Sequence, residues 1–160
     1  MKIQEFRRKR EGKTNYKKRL NLLLSKKPRL VIRKSLKNII VQIIEYAPDG
    51  DKVIAGANSK ELEKKFQWKS GRSNMPSAYL TGYLLGKKAT KKDIKEAVLD
   101  LGLNESTKGG KFYAVLKGVL DAGIVIPHSK KVLPDEKRLN GSHISEEITK
   151  SFEEIKKKIE

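Results

Sequence analysis

Apolar residues along this chain change their period several times, and each change marks an element. Between residues 14 and 24, Tyr16, Leu20, Leu23 and Leu24 recur at the spacing of one helix face, with Thr14 placed to cap the helix. Pro28 disfavours helical geometry at Lys27 and ends it. The stripe predicts a helix docked on a core, with Lys17, Lys18 and Asn21 turned outward. Runs at 29–33, 39–46 and 52–58 are short, rich in β-branched residues and separated by turn chemistry at 35–38 and 48–51. They predict a three-stranded meander. The middle run is apolar on both faces apart from Gln42 and Glu45, which marks it as the most buried strand.

A short helix near 61–66 and a polar loop through Gly71 come next. Asn74 then stands as an N-cap, with Pro76 tolerated in the first turn of a helix running to about residue 89. Within it Ala78, Gly82 and Gly86 lie four apart, a stripe of small residues that predicts close packing against a sheet. Residues 96–102 (EAVLDLG) predict a strand parallel to an earlier one, because a helix intervenes. A helix at 111–122 follows, burying Phe112, Val115, Leu116, Val119 and Leu120, and Gly123 closes it as a C-cap glycine does. A last strand is expected at 124–127. The order β-β-β-α-β-α-β predicts a single α/β domain, a mixed sheet flanked by helices. From residue 145, Ile148, Phe152, Ile155 and Ile159 form a further helical stripe, with glutamates early and lysines at 156–158. A helix this short is marginal alone, so it must dock on the domain or on a partner. The chain therefore divides into an arm at 1–13, an α/β domain at 14–128 and an extension with a helix at 129–160.

Charge adds a direction to this scaffold. Residues 1–37 hold fifteen of the 37 Lys and Arg but only Glu5 and Glu11 of the acidic residues, and so carry most of the net charge of +18. Residues 1–12 have too few apolar groups to fold alone and are expected to stay disordered until their charge is neutralised. Arg7, Arg8, Lys9 and Arg10 are four adjacent cations. Arg29 and Arg33 alternate with Leu30 and Ile32, which places both arginines on one side of their strand and continues the positive arm onto a rigid surface. Such a surface suits a polyanion, most commonly a phosphate backbone.

Other chemistry is sparse. With no cysteine there are no disulfides and no thiolate zinc sites, which fits a reducing compartment. Nothing resembles a secretory signal, and no window approaches the apolar length of a membrane span, so a soluble cytoplasmic protein is expected. His128 and His143 show no metal-ligand spacing. The run Gly109-Gly110-Lys111 lacks the residues that flank a phosphate-cradling loop and reads as turn chemistry. Trp68, the one tryptophan, reads as a lid on the core edge, with base stacking as the alternative. Asp100 reads as a strand-end carboxylate capping nearby backbone; a metal-dependent nuclease would need further carboxylates clustered around it. A basic membrane-surface protein would use residues 7–24 but should show exposed aromatics opposite the charge, where only Tyr16 qualifies.

Five segments in order, RRKREGKTNY (7–16), KPRLVIRKS (27–35), NMPSAYLTG (74–82), EAVLDLGL (96–103) and DAGIVIPH (121–128), resemble the large-subunit ribosomal protein family numbered eighteen in the universal set, in its archaeal and eukaryotic form. The match runs from about residue 7 to 144. The resemblance implies a fold similar to ribonuclease H, with a mixed five-stranded sheet between helices and without the catalytic centre. It implies a non-enzymatic role: binding 5S ribosomal RNA and attaching it to large-subunit ribosomal RNA in the central protuberance, beside neighbouring ribosomal proteins, with no cofactor, metal or membrane. By position, Arg7, Arg8, Lys9, Arg10, Lys13, Thr14, Tyr16 and Arg19 match the family's RNA-gripping N-terminus. Lys27, Arg29, Arg33, Lys34, Ser35, Lys37 and Asn38 match the hairpin that lies against the RNA backbone. Lys and Arg would neutralise phosphates, while Tyr16 would either stack on a sugar or base or pack in the core. The alternative on the same fold is a ribonuclease H-like metal-dependent nuclease.

Overall fold

A computed structural model of the chain describes residues 4–160; Met1, Lys2 and Ile3, the first residues of the expected arm, lie outside them. Three antiparallel strands form where the β-branched runs predict them: β1 at Arg29–Lys34, β2 at Ile39–Glu45 and β3 at Lys52–Asn58. A fourth strand, β4 at Val98–Asp100, lies parallel to β1, so the sheet is mixed with order β3-β2-β1-β4. Alternation in β1 and β2 sends Leu30, Ile32, Ile39, Val41 and Ile43 to one face, where all are buried. Arg29, Val31 and Arg33 face the other side, opposite Ile44, Gln42 and Ile40 of β2.

The fifth strand expected at 124–127 is reduced to one parallel bridge between Glu96 and Val125. Val125 N–H donates to the Lys95 carbonyl at 2.9 Å, and Ala97 N–H donates to the Val125 carbonyl at 3.1 Å. The next rung of a parallel ladder would require residue 127 to donate to Ala97. Residue 127 is proline and has no N–H, so the ladder stops there.

The helices are α1 (Arg7–Arg10), α2 (Tyr16–Leu23), α3 (Ser59–Phe66), α4 (Met75–Thr90), α5 (Lys111–Asp121), α6 (Glu136–Leu139) and α7 (Glu146–Ile159), with a 3-10 turn at Lys130–Val132. Helix α4 begins as expected, with Asn74 Oδ1 accepting the Ser77 N–H at 2.9 Å. It is buried almost all round because it packs on the core face of the sheet and also against α5 and α7. The small-residue stripe meets α5 rather than the sheet: Gly82 faces the Val115 backbone and Gly86 faces Ala122. Gly123 ends the turn after α5 at φ +101°, a conformation that suits glycine. The C-terminal helix docks on the domain itself. Phe152, Ile155 and Ile159 are buried, and the Phe152 ring lies 5.3 Å from that of Tyr79 on α4. Trp68 is buried too, its indole N–H donating to the Gly71 carbonyl at 3.3 Å, which supports the core-lid reading over base stacking.

Edge strand β3 is guarded. Lys88 and Lys92 of and beyond α4 reach over to donate to the Gly56 carbonyl at 3.0 Å and the Ile54 carbonyl at 2.5 Å, occupying acceptors that would otherwise template another strand. Lys88 also meets Glu61 at 2.7 Å, and Glu61 closes a capping box with Asn58 at the start of α3. Burial pushes the Glu61 carboxyl upward, but the Lys88 ammonium, the Asn58 N–H and Lys65 together outweigh it and leave its pKa lowered. A carboxylate with a lowered folded-state pKa stabilises above the ordinary glutamate range and loses that contribution as pH falls through the folded value. Glu61→Gln, which keeps the capping acceptor, is therefore expected to cost about 0.5–1 kcal/mol at neutral pH. The gap between the two melting curves should narrow as pH falls below the ordinary glutamate range and close once Glu61 is protonated in the folded protein, and a gap that persisted in strong acid would assign the effect to packing.

Candidate nucleic-acid interface

Two outcomes at the N-terminus depart from the sequence expectation. In place of a structureless arm, Arg7–Arg10 form one helical turn tied by exposed pairs: Arg7 to Glu11 at 2.8 Å, Lys13 to Glu11 at 2.9 Å, and Lys9 to Glu5. Hydrogen bonds from Arg7 and Lys13 hold the Glu11 carboxyl below its usual range. Arg8 Nε donates to Thr14 Oγ1 at 2.9 Å, which takes Thr14 out of the capping role; Asn15 caps α2 instead, accepting the Lys18 N–H at 3.0 Å. The Phe6 and Tyr16 rings meet at 5.3 Å, so the exposed Phe6 covers part of Tyr16.

The second departure is the seat of α2. Leu20 and Leu24 of its predicted docking stripe are exposed, and no residue of the helix is buried. The helix instead turns Arg19 and Lys18 to the protein. Arg19 Nη2 meets Asp51 Oδ1 at 2.7 Å, and Lys18 Nζ donates to the Gly102 carbonyl at 3.1 Å. The cleft under α2 is of mixed character: Asp51 and Asp100 stand in it beside Val31, Ile44 and Leu101, and the polar attachments of α2 reach the Asp51 carboxylate and the Gly102 backbone.

Those carboxylates gather round one buried arginine. Arg29, expected on the exposed strand face beside Arg33, is only 3% exposed. Its Nη1 lies 2.6 Å from Asp100 Oδ2 and its Nη2 lies 2.7 Å from Asp51 Oδ2. Asp100 uses its other oxygen to accept the Gly102 N–H at 2.9 Å, in keeping with the backbone-capping reading. The same alternation thus gives Arg29 and Arg33 opposite fates: Arg33 stays exposed.

Between the arm, α2 and this end of the sheet lies a cleft of about 270 Å³. Of the residues expected to bind RNA, Arg8, Lys13, Thr14, Arg19, Arg29 and Arg33 line it. Lys18, which sequence reasoning turned outward, lines it as well, against the two carboxylates Asp51 and Asp100. Lys9 and Tyr16 border a neighbouring hollow with Phe6 and Leu103. The other expected residues lie elsewhere. Lys27 pairs with Glu96 at 2.6 Å. Ser35 and Asn38 close the β1–β2 hairpin on each other, with Asn38 N–H donating to Ser35 Oγ at 2.9 Å. Lys37 sits with the fully exposed Leu36 on the rim of a second, wider hollow that also takes Lys69, Arg72 and Lys111. Among the described residues, no group of three or more His, Asp or Glu side chains is placed to hold a metal ion, and no helix is long and apolar enough to cross a membrane.

Comparison of the sequence with known proteins places the chain in a family. The sequence model described as ribosomal large subunit proteins 60S L5 and 50S L18 matches residues 2–97 and 89–129. The chain is 58% identical over 139 residues to the large ribosomal subunit protein uL18 of Methanococcus maripaludis, covering 87% of this chain and 72% of that protein. It is 56% identical over 150 residues to the uL18 of Korarchaeum cryptofilum, covering 94% of this chain and 76% of that protein.

Proposed function

The chain belongs to the family of ribosomal large-subunit proteins that joins 60S L5 and 50S L18, whose members are structural proteins and not enzymes, and from that membership we propose that it binds 5S ribosomal RNA through its N-terminal cleft. In this reading it attaches that RNA to large-subunit ribosomal RNA in the central protuberance, among neighbouring ribosomal proteins. The observation that carries the reading is the cleft itself. A mixed sheet presents one face to its helices and keeps the other for a cationic arm, so that Arg8, Lys13, Lys18, Arg19 and Arg33 converge on one concavity. Phosphate contacts from such groups fix register without reading sequence. Arg7, Lys9, Arg10 and Tyr16 extend the grip along the arm, while Lys34, Ser35, Lys37 and Asn38 extend it along the hairpin. Against the nuclease alternative stands the pairing of Asp51 and Asp100, which are both bound to one arginine. A nuclease would need those carboxylates free for metal.

Binding of a 5S RNA transcript to the purified protein tests the proposal. Arg33→Ala, an exposed change away from the core, should leave the melting temperature within a degree or two. It should weaken binding several-fold and flatten the log–log salt slope by about one contact. Absence of binding at low salt, or hydrolysis of the transcript when magnesium is added, would sink it.

A further inference from the structure

We infer that Arg29 is a positioning residue for the RNA grip: from beneath the arm it holds Asp51 and Asp100 where they dock α2, and it touches no phosphate itself. The inference rests on the RNA-binding reading and deepens it. Its starting point is what α2 lacks. An eight-residue helix is marginal alone in water, and with no buried residue this one has little hydrophobic hold on the sheet. Tyr16, Leu22 and Leu23 are only partly covered.

Its polar attachments both lead back to one guanidinium. Arg19 binds Asp51, whose second oxygen is bound by Arg29. Lys18 binds the Gly102 carbonyl, and the Gly102 N–H is held by Asp100, whose second oxygen is also bound by Arg29. Arg29 comes from β1, paired on both sides by β2 and β4, so the anchor cannot drift. Two carboxylates at fixed places require a planar fork of donors, which a lysine ammonium cannot supply.

The charges set a puzzle that this role answers. Asp51 and Asp100 line a cleft that meets a polyanion, and as bare charges they repel it. They favour binding only through order. When one conformation is competent, apparent affinity falls in proportion to the fraction that occupies it, so releasing α2 until about a tenth remains docked weakens binding about tenfold.

The experiment uses the full chain and a 5S RNA transcript over a series of salt concentrations, with wild type, Arg29→Met and Asp51→Asn, together with amide hydrogen exchange across residues 16–23. A lost phosphate contact flattens the salt slope by about 0.9, whereas a lost anchor lowers affinity and leaves the slope. Asp51→Asn separates the roles by sign. Removing a negative charge from the cleft would tighten binding by electrostatics alone, while loss of the anchor weakens it about tenfold. Asp51 is partly exposed and its replacement leaves Arg29 paired with Asp100, so this variant serves even where Arg29→Met fails to fold. Weaker binding at unchanged slope, with faster exchange across α2, is the expected result. Equal or tighter binding by Asp51→Asn, or a slope flattened by about one in Arg29→Met, overturns the inference. If wild type itself ignores the transcript, the functional reading falls, and exchange across 16–23 still decides whether Asp51 and Arg29 hold the helix.

Discussion

Affinity for 5S ribosomal RNA is expected to fall on the order of a thousandfold or more when salt is raised from about 50 to about 200 mM. The size follows from how many cations can reach phosphates. Among the described residues, Arg10, Arg33, Lys34 and Lys37 are exposed and form no ion pair with the protein. Arg7, Lys9 and Lys13 do form pairs, but all are exposed and screened by solvent, and a phosphate displaces such a carboxylate at little cost. With Arg8 and Arg19 at the cleft this makes roughly six to ten phosphate contacts, and each releases counterions with a slope near −0.9. Arg29 is not in the sum, because its guanidinium is already committed to two carboxylates. Filter binding over that salt range gives the slope directly. A slope shallower than about −3 would confine the grip to three or four phosphates and leave most of the arm without a role.

What the sequence revealed, and what it hid, separates along the distance between partners. Strand β3 occupies the expected 52–58, and α4 starts at the expected cap, because turn residues, β-branched runs and an Asn-x-Pro start act within a few positions. The fate of Arg29 depends on Asp51 and Asp100, 22 and 71 residues away, and nothing in a local alternation tells it from Arg33. Helix α2 shows the same limit from the other side. Its apolar stripe is legible, but whether a stripe docks depends on what lies opposite it, and beneath α2 a charged cluster of Arg29, Asp51 and Asp100 stands among Val31, Ile44 and Leu101. The fifth strand had a local signal that pointed the other way: Pro127, which cannot supply the next rung. The cleft was therefore readable as a concentration of charge in residues 1–37, while its buried anchor was not. Lys18 was missed because its acceptor is a backbone carbonyl 84 residues on.

The Ala-Gly-Gly stripe of α4 leads to the largest expected effect on stability. Gly118→Ala should destabilise the protein by about 3 kcal/mol or more, lowering the melting temperature by roughly 6–12 °C for a domain of this size. Helix propensity predicts the opposite sign, since alanine is favoured over glycine inside a helix by about 1 kcal/mol. Packing decides it. A Cβ at Gly118 would stand 2.2 Å from the Tyr79 carbonyl oxygen and 2.8 Å from the Tyr83 nitrogen, both backbone atoms of α4. No rotamer change relieves a clash with backbone, so the helices must separate. Helix α4 cannot retreat, because its other sides are packed on the sheet and on α7. Gly82 makes the reciprocal approach, with a Cβ there only 2.2 Å from the Val115 carbonyl oxygen. Both substitutions strain one crossing, so the double variant Gly82→Ala, Gly118→Ala should cost less than the two single costs added, the first methyl having already opened the gap for the second. Thermal melts of the four proteins measure this coupling. A Gly118→Ala protein that melts at or above wild type would mean that α4 and α5 do not approach this closely.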